Sequence, residues 1–240
     1  MPLTTSIKIK MDNISNKLKI ISILLVILVT GNQCLSGQHR SWDRIEDIRK
    51  VIEMASCRSW EIIKEGDGIV LKSRWLYFGD SLKTREISSS FTVHSNIQNV
   101  LDNLKSPQKM LEWNEGLRSI KLLKQDSSAW ITHTIYEIPH PFSQQDLVVK
   151  NVIVTDNQKL TILFSSLPEY IKPIKNTTRQ RFYFGMWELV PINNKSTEVR
   201  FSALSFSDSR IPRIIRDPII QRKLFNSFLK LKNQTRSGLK

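Results

Sequence analysis

Between residues 60 and 207 the sequence falls into nine strand-like runs, separated by turn residues and broken once by helical spacing. Apolar residues recurring at every second position bury one face of a sheet, and no other feature of this chain restricts its fold as far. Residues 60–76 alternate about Glu65-Gly66-Asp67-Gly68, and Asp-Gly between two such runs signals a hairpin. Residues 84–93 continue the pattern, with Ile87, Ser89, Phe91 and Val93 on one face. Ser95-Asn96 then caps a helix that carries Ile97, Val100, Leu101 and Leu104 inward and stops before Pro107. A helical turn and loop, PQKMLEWNEGL, leads to four runs at 116–124, 129–138, 146–155 and 160–167. A last long pair, 179–191 and 197–207, is joined through Asn193-Asn194-Lys195. Trp42, Ile45, Ile48 and Ala55 have helical spacing at the front, and residues 212–233 form a long closing helix in which Pro218 marks a bend. The expected order is helix, three strands, helix, six strands, long helix. That is an α+β domain whose terminal helix alone is long enough to cover the sheet.

Residues 1–37 are expected to be a signal peptide rather than part of this domain. Lys17 and Lys19 precede a short uncharged run at 20–29, and Thr30, Gly31 and Ser36-Gly37 follow it. The run is short for a membrane-spanning helix, which needs about 20 apolar residues. Asn32-Gln33 in front of Cys34 departs from the pattern of lipoprotein anchors. The expected location is therefore the periplasm or the exterior. Cleavage leaves Cys57 as the one cysteine, so no internal disulfide staples the domain, and Cys57 reads as a small buried residue at a helix end. The whole chain carries a net charge of +14; residues 1–37 hold four Lys and one Asp, leaving +11 on the rest. From Asp208 to Lys240 there are nine Lys/Arg against two Asp, a balance that suits anionic headgroups or phosphates. Export argues against nucleic acid as the partner.

Catalytic patterns are sparse. His39, His94, His133 and His140 are scattered without ligand spacing, and there is no GxSxG, CxxC or Walker-type loop. No cofactor or metal is implied. His133 and Glu137, four apart in one strand, are the single acid/base pair that alternation places on a common face. The aromatic residues say more. RFYFGMWELV carries rings on both parities, so its sheet is covered on both faces or lines something. In the closing helix, Ile211, Ile214, Ile215, Ile219, Leu224, Phe225, Phe228 and Leu229 form a broad apolar stripe flanked by Arg and Lys.

Trp60 with GDGIVLKSR, then SNIQNVLDNL, MLEWNEGLRSIKLL, ITHTIYEIPHPFSQQDLVVKNVIV and FSDSRIPRIIRDPIIQ resemble, in order and spacing, the START (steroidogenic acute regulatory protein-related lipid transfer) domain. The resemblance spans residues 42–233, between the targeting segment and a basic 234–240 tail, and its most specific parts are the Pro-x-Pro-aromatic-Ser-x-x-Asp run and the Trp113 segment. It implies a helix-grip fold, with a curved antiparallel sheet wrapped around the long C-terminal helix and an internal cavity. It also implies that the cavity is gated by the 138–146 loop and that helix. The family pattern places Arg before the Asp; this chain has Gln145 before Asp146. That departure weighs against a phospholipid and favours a sterol-like, isoprenoid or otherwise neutral ligand.

On this reading the chain is expected to bind, and to transfer, a lipid or other hydrophobic small molecule as a monomer without catalysis. The candidate lining residues are Trp113, Tyr136, Phe164, Phe184, Trp187 and Phe206, with Ile215, Ile219 and Phe225 from the closing helix. Pro139, Pro141, Phe142 and Asp146 belong to the gate loop, and His133, Glu137 and Asp146 are the candidate polar contacts. The basic helix suits transient contact with an anionic membrane. The alternative is a cyclase- or hydrolase-like enzyme using His133 and Glu137 in the same cavity.

Overall fold

The computed structural model describes residue 50 and residues 52–80, 82–140, 142–206 and 213–237. The expected signal peptide and most of the opening helix lie outside them. In chain order the elements are β1 (Ser56–Cys57), β2 (Glu61–Gly66), β3 (Ile69–Phe78), β4 (Leu82–Val93), α1 (Ile97–Lys105), α2 (Pro107–Trp113), β5 (Leu117–Gln125), β6 (Ala129–Tyr136), β7 (Gln144–Asp156), β8 (Lys159–Ser166), β9 (Thr177–Arg179), β10 (Phe182–Asn193), β11 (Ser196–Phe206) and α3 (Arg213–Ser237).

All nine expected strands are present, and β1 and β9 join them. Ser56 and Cys57, expected to end a helix, pair instead with Tyr77 and Leu76, and Cys57 is exposed rather than buried. The β2–β3 hairpin turns at Asp67 and Gly68, both with positive φ (52° and 68°), as a tight two-residue turn requires. Asn96 caps α1, its side chain accepting from the Asn99 N–H, while Ser106 ends α1 and Pro107 opens α2. Helix α3 runs through Pro218 without a break. The bond that the missing N–H forgoes belongs to the carbonyl of Ile214, where the chain is open to solvent.

One sheet holds every strand of the described residues, in the order β1-β3-β4-β11-β10-β8-β7-β6-β5, with β2 on β3 and β9 parallel to β7. The pairing of β4 with β11 joins the strand before α1 to the strand before α3, so the α1–α2 excursion and the meander from β5 onward close on the amino-terminal hairpin. The apolar face wraps α3, whose Phe225, Phe228 and Leu231 are almost wholly buried among Ile69, Phe91, Val199 and Phe201. A smaller core on the outer face gathers Leu76, Phe78, Leu163, Phe184 and Leu204 beneath Ile52 and Ala55. Both faces are therefore covered at this end, which is why β10 carries rings on both parities.

Candidate ligand cavity

Between the sheet and α3 lies a cavity of about 670 Å³. Strand parity decides who faces it. On β6, Trp130, Thr132, Thr134 and Tyr136 line the cavity, and on β7 Gln145, Leu147, Val149 and Asn151 do so, Tyr136 standing opposite Gln145.

The far end is closed by rings. Trp113 sits where α2 meets the core, its indole N–H donating to the carbonyl of Asn103 at 3.0 Å. It meets Trp187 edge-on with centroids 6.2 Å apart, and Trp187 lies 4.6 Å from Phe201. Phe164 packs against Gly185, stacked against Tyr183 at 5.1 Å and Phe201 at 5.9 Å. At the other end are Tyr136, Tyr183 and Gln145, then Arg85, Arg216 and Asp217. Burial pushes the hydroxyls of Tyr136 and Tyr183 up from their ordinary range; at Tyr136 the side chains of Asn114 and Thr134 partly offset this. Both remain protonated and able to donate.

The 138–144 loop borders the opening through Ile138, Pro139, His140 and Phe142. Its base is clasped by Gln144, whose amide accepts from the Ile138 N–H at 3.1 Å and donates to the Ile138 carbonyl at 2.9 Å. Helix α3 is fastened over the cavity by lysines: Lys223 donates to the Glu137 carbonyl (3.1 Å), Lys230 pairs with Glu115 (3.4 Å), and Lys232 donates to the Asp67 carbonyl (2.6 Å). Among the described residues no helix is long and apolar enough to cross a membrane.

Of the residues expected from sequence, Trp113, Tyr136, Phe164, Trp187, Phe206 and Ile219, with Pro139 and Phe142 of the loop, line the cavity. Four do not. Phe184 alternates with the inward Tyr183 and lies in the outer core. Phe225 fills the core beneath α3, with the Lys64 ammonium 4.2 Å above its ring. Asp146 follows the inward Gln145 and so faces outward, as does His133; the carboxylate and imidazole meet there at 3.0 Å. The His133–Glu137 pair does not form, because β6 ends at Tyr136 and the chain turns, leaving Glu137 at the cavity rim. Pro141 and the side chain of Ile215 lie outside the described residues. Sequence reasoning missed Trp130, Thr132 and Tyr183 as lining groups. Once Tyr136 is known to face inward, alternation along β6 yields the first two.

The outer face carries a buried ionic cluster. Asp146 is fully buried, and its carboxylate accepts from Arg179 (2.9 and 2.7 Å) as well as sitting against His133. Burial alone would raise the Asp146 carboxyl; the hydrogen bonds of Arg179 and His133, with their charge, outweigh it and hold the group below its ordinary range. Arg179 also donates to the carbonyls of Pro168 and Ile171, tying the 167–176 connection to β7.

This architecture matches solved structures. A STAR-related lipid transfer protein fragment from Xanthomonas axonopodis aligns with a TM-score of 0.67 at 20% identity, over 75% of this chain and 99% of that one. Human StAR-related lipid transfer protein 5 aligns at 0.64 and 13% identity, over 81% and 94%. The Zhui aromatase/cyclase from Streptomyces sp. R1128 is more remote, at 0.51 and 9% identity, over 65% and 96%. No protein-family model matches the sequence, and a search of curated proteins returns no match. The chain has the helix-grip fold of START domains.

Proposed function

We infer that the protein binds one lipid or other hydrophobic small molecule in the 670 Å³ cavity and carries it without breaking a bond. The cavity itself supports this reading: it is enclosed by rings at one end, edged by hydrogen-bonding groups at the other, and of a size that suits one small ligand. Apolar contact is worth about 25 cal/mol per Å² buried before the costs of association. Two structural neighbours, both named as lipid transfer proteins, agree with it. Transient contact with an anionic bilayer is part of the proposal, supported by Ile214 (85% exposed) and Ile220 near Arg222 on α3. Binding to anionic vesicles that weakens with salt is the expected result.

Organic extraction of purified protein followed by mass spectrometry tests the central claim. A reproducible stoichiometric ligand is expected, and Thr132→Phe, which places a ring inside the cavity, should abolish its recovery while the far-UV circular dichroism of the folded protein is kept. Consistently empty wild-type protein that also fails to take up added lipid would refute the reading.

A further inference from the structure

The two ends of the cavity differ in polarity, and the difference constrains both the ligand and its orientation. At the closed end the lining is Trp113, Trp187, Phe201 and Phe228, and the Trp113 N–H is already bonded to Asn103. A charged head placed there would lose its hydration against aromatic carbon, a cost that a buried ion recovers only through hydrogen-bonding partners. At the open end Arg85 from β4 and Arg216 from α3 converge on one carboxylate, Asp217, at 3.8 and 3.3 Å. Two guanidinium groups on one carboxylate leave one positive charge unmatched within the trio. The Arg85 Nε–H is buried without a hydrogen-bond partner while its guanidinium lies 4.6 Å over the Trp75 ring. A guanidinium seated over a ring, with its Nη1 already turned to a carboxylate, is suited to an incoming one. The arginine that the START pattern places before Asp146 is absent, and these two arginines bring positive charge to the mouth from other elements.

We propose that the ligand is a single-tailed or fused-ring amphiphile with a monoanionic head such as a carboxylate, bound tail first, its head between Arg85 and Arg216. This rests on the reading of the cavity as a lipid site and adds the head chemistry and the direction of entry. Asp217 holds the two arginines together when the site is empty and yields to the incoming carboxylate.

Two stearic acids, one with a diazirine at the terminal carbon and one with it beside the carboxylate, test the orientation by photolysis and peptide mapping. The terminal label is expected on peptides holding Trp113, Trp187 or Phe201, and the carboxyl-side label on those holding Arg85 or Arg216, both blocked by unlabelled stearate. Saturable labelling with the two positions reversed overturns the orientation and leaves lipid binding standing. Absence of competition-sensitive labelling by either probe overturns the anionic head, and the binding reading falls with it only where extraction also finds the protein empty and unable to take up added lipid. For the head group, wild-type protein should prefer stearate over stearyl alcohol by about tenfold, the scale of one charged hydrogen bond. Arg85→Gln and Arg216→Gln should each weaken stearate binding more than alcohol binding and bring the two ligands near parity, and Asp217→Asn should strengthen stearate binding several-fold. Equal affinities in the wild type, or weaker stearate binding by Asp217→Asn, overturn the anionic head.

Discussion

The Asp146 carboxylate is out of contact with both solvent and cavity, and its partners are His133, Arg179 and the Thr177 hydroxyl. Removing Arg179 would leave that buried charge without its guanidinium and with only the contacts of His133 and Thr177, so Arg179→Ala should cost about 3 kcal/mol in denaturant unfolding. The carboxyl is held below its ordinary range in the folded protein, so the unfolded chain binds more protons as the pH approaches about 4. The stabilisation is complete above that pH and disappears as acid protonates the folded group. Urea midpoints should therefore fall between about pH 5 and pH 3, and Asp146→Asn should flatten that slope. Alternation in the sequence correctly separates Gln145 from Asp146 and puts His133 with Ile131 and Ile135. It leaves open which parity faces inward. The answer lies in Arg179, 33 residues beyond Asp146, which draws the acidic side outward.

Individual elements are held by small, specific contacts. A Cβ on Gly185 would lie 2.0 Å from the Ser202 carbonyl and 2.6 Å from the Phe164 ring, so Gly185→Ala should destabilise by about 2 kcal/mol or more, read as a lowered thermal midpoint. Gln144 clasps the loop at the cavity mouth through both polar atoms of its amide. Gln144→Ala should speed ligand release several-fold in stopped-flow displacement, and Gln144→Glu, which keeps only the acceptor, should fall between. The long strands and α1 were legible because period-2 and period-3.6 patterns persist over eight or more residues. β1 and β9, two and three residues long, are too short to show a period and exist because longer strands offer them an edge. Gln144 gave no sign, since a polar residue before a strand has many ordinary roles.

At the scale of the molecule, α+β class and helix-grip layout were readable from element order and family resemblance. The β4–β11 pairing was not, because it joins residues more than 100 positions apart and no local pattern encodes it. A protein built around a cavity gains stability when the cavity fills. Free ligand at about 100 times Kd should add about 2.7 kcal/mol, so the thermal midpoint should climb with lipid concentration. Helix α3 supplies Phe225, Phe228 and Leu231 to the main core, and its lysines reach carbonyls 86 and 165 residues earlier. It is also synthesised after every strand it covers. Until α3 has emerged from the ribosome, the sheet has no inner layer and its apolar face stands open, so this order of elements makes aggregation the hazard of its synthesis.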